Sequence, residues 1–159
     1  MAFTDVRIVG GDGVSGVTDT MAAALWALDF AMECAMFGLQ YILFNNDVGA
    51  TNVQSPLGNT PNYTPRGSYY GMLMMSMINN WSYKFTTQTV TAGTSGSIKI
   101  YGFYLLSQQG FLLINKDTNP SASGVVQINA ASSYNMSCMY MSASSLSSKN
   151  ISIAGYYFV

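Results

Sequence analysis

Apolar residues recur at helical spacing from Ala22 to Phe37. Leu25, Leu28, Met32 and Met36 make one stripe; Trp26, Phe30, Cys34 and Phe37 make a second; Asp29 and Glu33, one turn apart, mark a polar side. The pattern predicts a helix over about 19–37, with Thr18 or Asp19 as N-cap and Gly38 as the stop. A helix apolar over most of its circumference must be covered on two sides. Ahead of it, Val6-Arg7-Ile8-Val9 reads as a short strand ended by Gly10, Gly11 and Gly13. Behind it, Leu39 to Phe44 is apolar on both faces, as a buried parallel strand is. Strand, helix and strand form a right-handed βαβ unit. Asn45 to Gly67 reads as a long irregular loop, of the kind that is functional or disordered. Ser68 to Asn80 reads as a second helix, with Tyr69, Met72, Leu73, Met75, Ser76 and Ile78 on its apolar face.

After Trp81 the period shortens to two. The alternating runs are 83–91, 97–107, 110–116, 124–130, 134–141 and 151–158, with breaks at 92–96, 108–110, 117–120 and 142–150. Six short strands in about eighty residues predict an antiparallel β-sandwich. The expected class is α+β: a βαβα segment over residues 1–80, then a β-sandwich domain over 81–159.

Composition narrows the chemistry. Only 8% of the 159 residues are charged, against about 25% in an average domain. The net charge of −1 offers no basic face for nucleic acid. The chain has no histidine, hence neither the commonest general base nor the commonest metal ligand. The sulfur-bearing groups Met72, Met74, Met75, Met77 and Met136, Cys138, Met139, Met141 fit buried helix and strand faces better than a copper site, so no metal or cofactor is expected. Cys34 and Cys138 form no disulfide framework; one bridge in an oxidising compartment and two buried thiols are both open readings. Sequons begin at Asn62, Asn80, Asn135 and Asn150. Each accepts a glycan only on an exposed loop of a secretory chain, and chance occurrence in an Asn- and Ser-rich sequence is the bland alternative. With the low charge they point to an extracellular or secretory setting, although 1–5 carries no signal-peptide pattern. No apolar run is long enough for a membrane span.

The order of motifs resembles glycoside hydrolase family 79, the β-glucuronidase and heparanase-like enzymes. Gly16-Val17-Thr18-Asp19-Thr20 with Ala24-Leu25-Trp26-Ala27-Leu28-Asp29-Phe30 is similar to that family's last barrel segments, and Tyr69-Tyr70-Gly71-Met72-Leu73 to the start of its final barrel helix. Leu113-Ile114-Asn115-Lys116-Asp117, Ser142-Ala143-Ser144-Ser145-Leu146 and Ile151-Ser152-Ile153-Ala154-Gly155 resemble parts of its C-terminal β-domain. No single motif is specific; their collinear order over nearly the whole chain carries the resemblance. It implies a partial (β/α) barrel segment followed by the sandwich, and a carbohydrate substrate. It also implies two catalytic glutamates, one upstream of Met1 and one on the strand before the glycine loop. That strand, 4–9, contains no glutamate, so no catalytic residue is assigned and this chain is expected to be inactive alone.

Retaining glycosidases need two carboxyl groups about 5–5.5 Å apart. By position Asp19 is a cap, Asp29 and Glu33 are a polar stripe, Asp117 forms a turn, Asp5 precedes a strand and Asp12 sits in the glycine loop. Only Asp47 falls where barrel sites form, just past a strand end. The resemblance implies that the loop after the last barrel strand contributes to sugar recognition, which makes Asn45, Asn46 and Asp47 the candidate sugar-binding residues, with Tyr63 further along as a stacking partner; a merely solvated loop is the competing reading. Two strands and two apolar helices cannot close a barrel, leaving edges and faces exposed. A longer enzyme, a companion chain, or packing of copies as a homo-oligomer would each solve that problem. Two readings follow: the C-terminal part of a glycoside hydrolase completed by another chain or segment, or a non-catalytic extracellular structural or carbohydrate-binding protein that self-assembles.

Overall fold

The computed structural model describes residues 2–47, 52–58, 62–81, 84–86, 97–105, 108–119, 137–154 and 156–157. They form a mixed α+β fold with small sheets. Strand β1 (Ala2–Val6) pairs in parallel with β2 (Tyr41–Phe44), and α1 (Met21–Met36) connects them. The βαβ unit is therefore present, but its first strand lies earlier than the predicted 6–9. β2 is only four residues long, so the ladder Ala2↔Tyr41, Phe3↔Ile42, Val6↔Phe44 ends where β2 ends. The register shifts between Phe3 and Val6.

Helix α1 stops as its sequence predicts. Gly38 takes φ +75, and the N–H groups of Gly38 and Leu39 donate to Ala35 O and Cys34 O, both at 3.0 Å. This is the left-handed glycine stop. Phe37 caps the end and is exposed, so the second apolar stripe closes at Cys34. The start differs from expectation. Thr20, not Thr18 or Asp19, is the N-cap, and no side chain caps the helix. Asp19 instead accepts Gly16 N–H at 2.7 Å and pairs with Lys149 at 2.6 Å. The first two helical N–H groups, of Met21 and Ala22, donate to Ser148 O (2.8 Å) and Leu146 O (2.9 Å). A distant loop thus satisfies donors that a local side chain usually takes.

Helix α2 (Gly67–Trp81) packs along α1. Its buried positions are Gly67, Ser68, Tyr70, Gly71, Met74 and Ile78; of the predicted face Ile78 is buried, while Tyr69, Met72, Leu73 and Met75 are half-buried and Ser76 is exposed, so the buried stripe is offset from the predicted one. The two glycines explain the offset. A Cβ at Gly67 would lie 2.0 Å from Thr20 O, and one at Gly71 would lie 2.3 Å from Ala24 O. The helices touch backbone to side-chainless backbone, with Ala23 and Ala27 opposite.

Three antiparallel strands follow: β3 (Lys84–Thr86), β4 (Ile98–Leu105) and β5 (Gln108–Asn115), in the order β3-β4-β5. Gln108 and Gln109 belong to β5, so the break predicted at 108–110 is strand: β4 and β5 pair through Leu105↔Gln108. The Phe103 ring lies over Gly110, its cross-strand partner, where a Cβ would meet it at 2.1 Å. A second antiparallel sheet holds β6 (Met141–Ser142), β7 (Ser152–Ile153) and β8 (Tyr156–Tyr157). The run 151–158 is two strands rather than one, reversing at Ala154 with φ +53. The predicted run 134–141 is strand only from Met141 among its described residues, and the run 124–130 lies outside the described residues.

One core joins these pieces. Met21, Leu25, Leu28 and Met32 of α1 meet Tyr70, Met74 and Ile78 of α2, Tyr101, Phe103 and Ile114 of the first antiparallel sheet, and Ile151 and Ile153 of the C-terminal segment. The opposite flank of α1 is covered by the parallel pair: Trp26 stacks on Phe30 at 5.5 Å, and Phe44 packs edge-on to both. The helix is covered on both sides, as its pattern requires. Among the described residues no helix is long and apolar enough to cross a membrane.

Candidate functional site

Side chains converge where β1 and β2 end. Asp5 adopts φ +57, a conformation that Asp tolerates better than most residues. Its carboxylate accepts Arg7 Nε at 2.9 Å and Nη2 at 3.1 Å. Asn45, one residue past β2, donates its backbone N–H to Val6 O at 3.1 Å and its side-chain amide to Asp5 Oδ1 at 3.0 Å. The Arg7 guanidinium, helped by Asn45, holds the Asp5 carboxyl below the usual carboxylate range. A cavity of about 10 Å³ lies beside them, lined by Val6, Arg7, Trp26, Phe44, Asn45 and Gln54 among others. Two buried acceptors, Asn45 Oδ1 and Gln54 Oε1, have no partner among the described residues. The space suits a single water molecule.

The loop over 45–67 is built rather than irregular through its described residues. Val53 N–H donates to Asp12 O at 2.9 Å, and the Gln54 side chain donates to Gly11 O, tying the loop to the glycine turn. Leu57 bridges Pro65, Gly58 N–H donates to Thr64 O at 2.8 Å, and Arg66 holds Asn52 O. Gly13 shows why the turn is glycine: at φ +82, a Cβ would lie 2.7 Å from Thr18 Oγ1 and 2.9 Å from Gln54.

Of the candidate sugar-binding residues, Asn45 is at the centre of this constellation. Asn46 and Asp47 follow it and are exposed. Tyr63 stands exposed near the Leu57↔Pro65 bridge, with φ +44, and among the described residues shares no hydrogen bond with them. Sequence reasoning placed Asp5 before a strand; because β1 ends at Val6, Asp5 sits at the strand end, where sites of parallel sheets form. Nothing in the local sequence marked Arg7 or Gln54. Of the sequons, Asn62 and Asn150 are exposed, Asn80 falls in the last turn of α2, and Asn135 lies outside the described residues. Cys34 is buried, Cys138 is exposed, and both are free thiols, so the bridge is not formed.

Asp29 and Glu33 are not a solvated stripe. Tyr101 O–H lies 2.5 Å from Asp29 Oδ1 and 2.9 Å from Glu33 Oε1; its one proton serves one of them at a time. Lys99 pairs with Asp29 at 3.0 Å and Glu33 at 2.6 Å, and Lys116 pairs with Asp29 at 3.1 Å. Burial raises the Asp29 carboxyl, but Tyr101, Lys99 and Lys116 outweigh it and the net displacement is downward. Lys99 and Tyr101 likewise hold Glu33 low. The phenol of Tyr101 is pushed far up, by burial first and then by both carboxylates. Two ammonium groups and a phenol from β4 and the end of β5 meet both carboxylates of α1, so the cluster is a clamp between α1 and β4–β5.

The clamp sets an acid limit. Carboxyls depressed in the fold contribute stability above their ordinary values, 3.8 for Asp29 and 4.5 for Glu33, and lose it as pH falls through the lower folded values. Lys99 is raised: burial lowers it, but Glu33 and Asp29 outweigh that. Its contribution is present below its ordinary value and disappears only in strong base. With no histidine, the urea midpoint is expected to stay level from about pH 5 to 8 and to fall below about pH 4. Asp29→Asn should lower the plateau and flatten the acid limb. A midpoint that climbs steadily between pH 5 and 8 would contradict this assignment.

No protein-family model matches this chain, and no curated protein matches it.

Proposed function

We propose that this chain is the C-terminal portion of a glycoside hydrolase-like protein of the secretory pathway or extracellular space, inactive by itself and completed by another chain or segment that continues its parallel sheet. The single observation that carries the incompleteness is the β1–β2 pair. Parallel sheets are normally covered on both faces, and two strands are too few for independent stability. Here one face packs on α1 through Phe3 and Phe44, while the other carries Tyr41 and Leu43 at 65% and 57% exposure. Beside the pair, a groove of about 360 Å³ between α1, α2 and β2 is lined by Ala31, Ala35, Ile42, Phe44, Met72 and Met75, with no charged residue on its walls. The carbohydrate reading is supported by the ordered resemblance to family 79 and by the amide and carboxylate groups of Asn45, Asn46 and Asp47 at the strand ends. A partial (β/α) barrel with an appended sandwich is the architecture this reading requires.

The other reading, a non-catalytic protein that assembles with itself, is favoured by the strand-end chemistry: Asp5 is the carboxylate held there, and Arg7 neutralises it. Light scattering and cross-linking mass spectrometry on the chain isolated from its source separate the two. A complex with a different, glutamate-bearing chain, cleaving aryl glucuronides, supports the first. A homopolymer without that activity supports the second. A stable monomer would overturn both, as would robust cleavage by the single chain for the first.

A further inference from the structure

The sequons differ in what folding leaves accessible. Asn150-Ile151-Ser152 presents an exposed Asn150, but Ile151 is fully buried and Ser152 nearly so. The Ser152 hydroxyl lies 3.2 Å from Ser142 Oγ across the β6–β7 pair. An oligosaccharyl transferase must hold the hydroxyl residue of the sequon as well as the asparagine, and here that residue is sealed into a sheet. Asn62-Tyr63-Thr64 is the opposite case. All three residues are exposed, next to the Leu57↔Pro65 bridge and the bond from Gly58 N–H to Thr64 O. Among the described residues the Asn62 amide makes no hydrogen bond, and Tyr63 beside it has φ +44. A glycan at Asn62 displaces no core contact.

We propose that Asn62 is an acceptor for N-linked oligosaccharide in the folded chain, whereas Asn150 accepts only before its segment folds. The reaction takes a polyprenyl-pyrophosphate-linked oligosaccharide. The Asn62 Nδ2–C1 glycosidic bond forms, the C1–oxygen bond to pyrophosphate breaks, and the amide proton leaves with the lipid pyrophosphate. Occupancy in the cell rests in addition on the secretory reading above, so the test is arranged to separate the two.

The folded full chain is incubated with a purified single-subunit oligosaccharyl transferase and the lipid-linked oligosaccharide, and occupancy is read by peptide mass spectrometry. Short synthetic peptides of both sequons serve as unfolded references. Asn62 should be modified about tenfold faster than Asn150 in the folded chain, because Asn150 must wait for local opening, while the two peptides react comparably. Thr64→Ala, whose side chain is exposed, should abolish modification at Asn62 and leave the fold intact by circular dichroism. An unmodified Asn62 in a folded chain whose Asn62 peptide is modified would overturn the proposal, as would equal rates at the two sites. Peptide mapping of the chain from its source then bears on the compartment: Asn62 bare there, though reactive in the tube, counts against the secretory reading alone.

Discussion

Gly71→Ala is expected to destabilise the fold by about 3 kcal/mol, the upper end of the cost of overpacking a tight core. On an exposed helix the same change is favourable by about 1 kcal/mol, so even the sign reports the packing. The new methyl would lie 2.3 Å from Ala24 O and 3.0 Å from Ala27 Cβ, contacts that backbone cannot relieve without moving a helix. Separating α1 from α2 disturbs Tyr70, Met74 and Ile78 together, since all three share the core with Leu25 and Leu28. Urea denaturation followed by tryptophan fluorescence should show a lower midpoint with an unchanged slope. A midpoint equal to or above that of the parent chain would mean that the helices do not meet at this glycine.

Ile151→Ala is expected to cost about 3 kcal/mol, within the range for a fully buried aliphatic side chain. Its effect should reach further than its own cavity. The loop before Ile151 supplies Leu146 O and Ser148 O to the first N–H groups of α1, and Lys149 to the buried carboxylate of Asp19. Burial raises the Asp19 carboxyl, but Lys149 and the Gly16 N–H outweigh it, leaving it below the ordinary range. Loosening the segment should therefore accelerate amide exchange at Met21 and Ala22 more than at the middle of α1. Exchange that rises uniformly along α1 would show that the loop is not its cap.

How much of this was legible in the chain varies by element. The parallel pair and α1 were readable because apolar runs and Gly38 act locally. The first strand was misplaced because Val6 to Val9 has strand-like residues whichever partner it finds; the four-residue length of β2 decides where pairing stops. Gly67 and Gly71 carry a visible four-residue spacing, but spacing does not say which helix approaches them. Asn45 was singled out through the resemblance, as part of the loop after a strand, and the fold places it beside Asp5. Asp5 was not, since its significance depends on where β1 ends.

The pattern of residues was enough to establish two helices, the parallel strand pair that the first of them connects, and an antiparallel remainder, because hydrophobic period and glycine stops act within a few residues. Contacts across the chain did the rest: Asp29 and Glu33 became a clamp when Lys99, Tyr101 and Lys116 met them, and α1 acquired a cap from residues more than a hundred positions away. Charge and hydrogen-bond partners are chosen by proximity in space, and proximity at that sequence distance is a property of the packed core rather than of any local run.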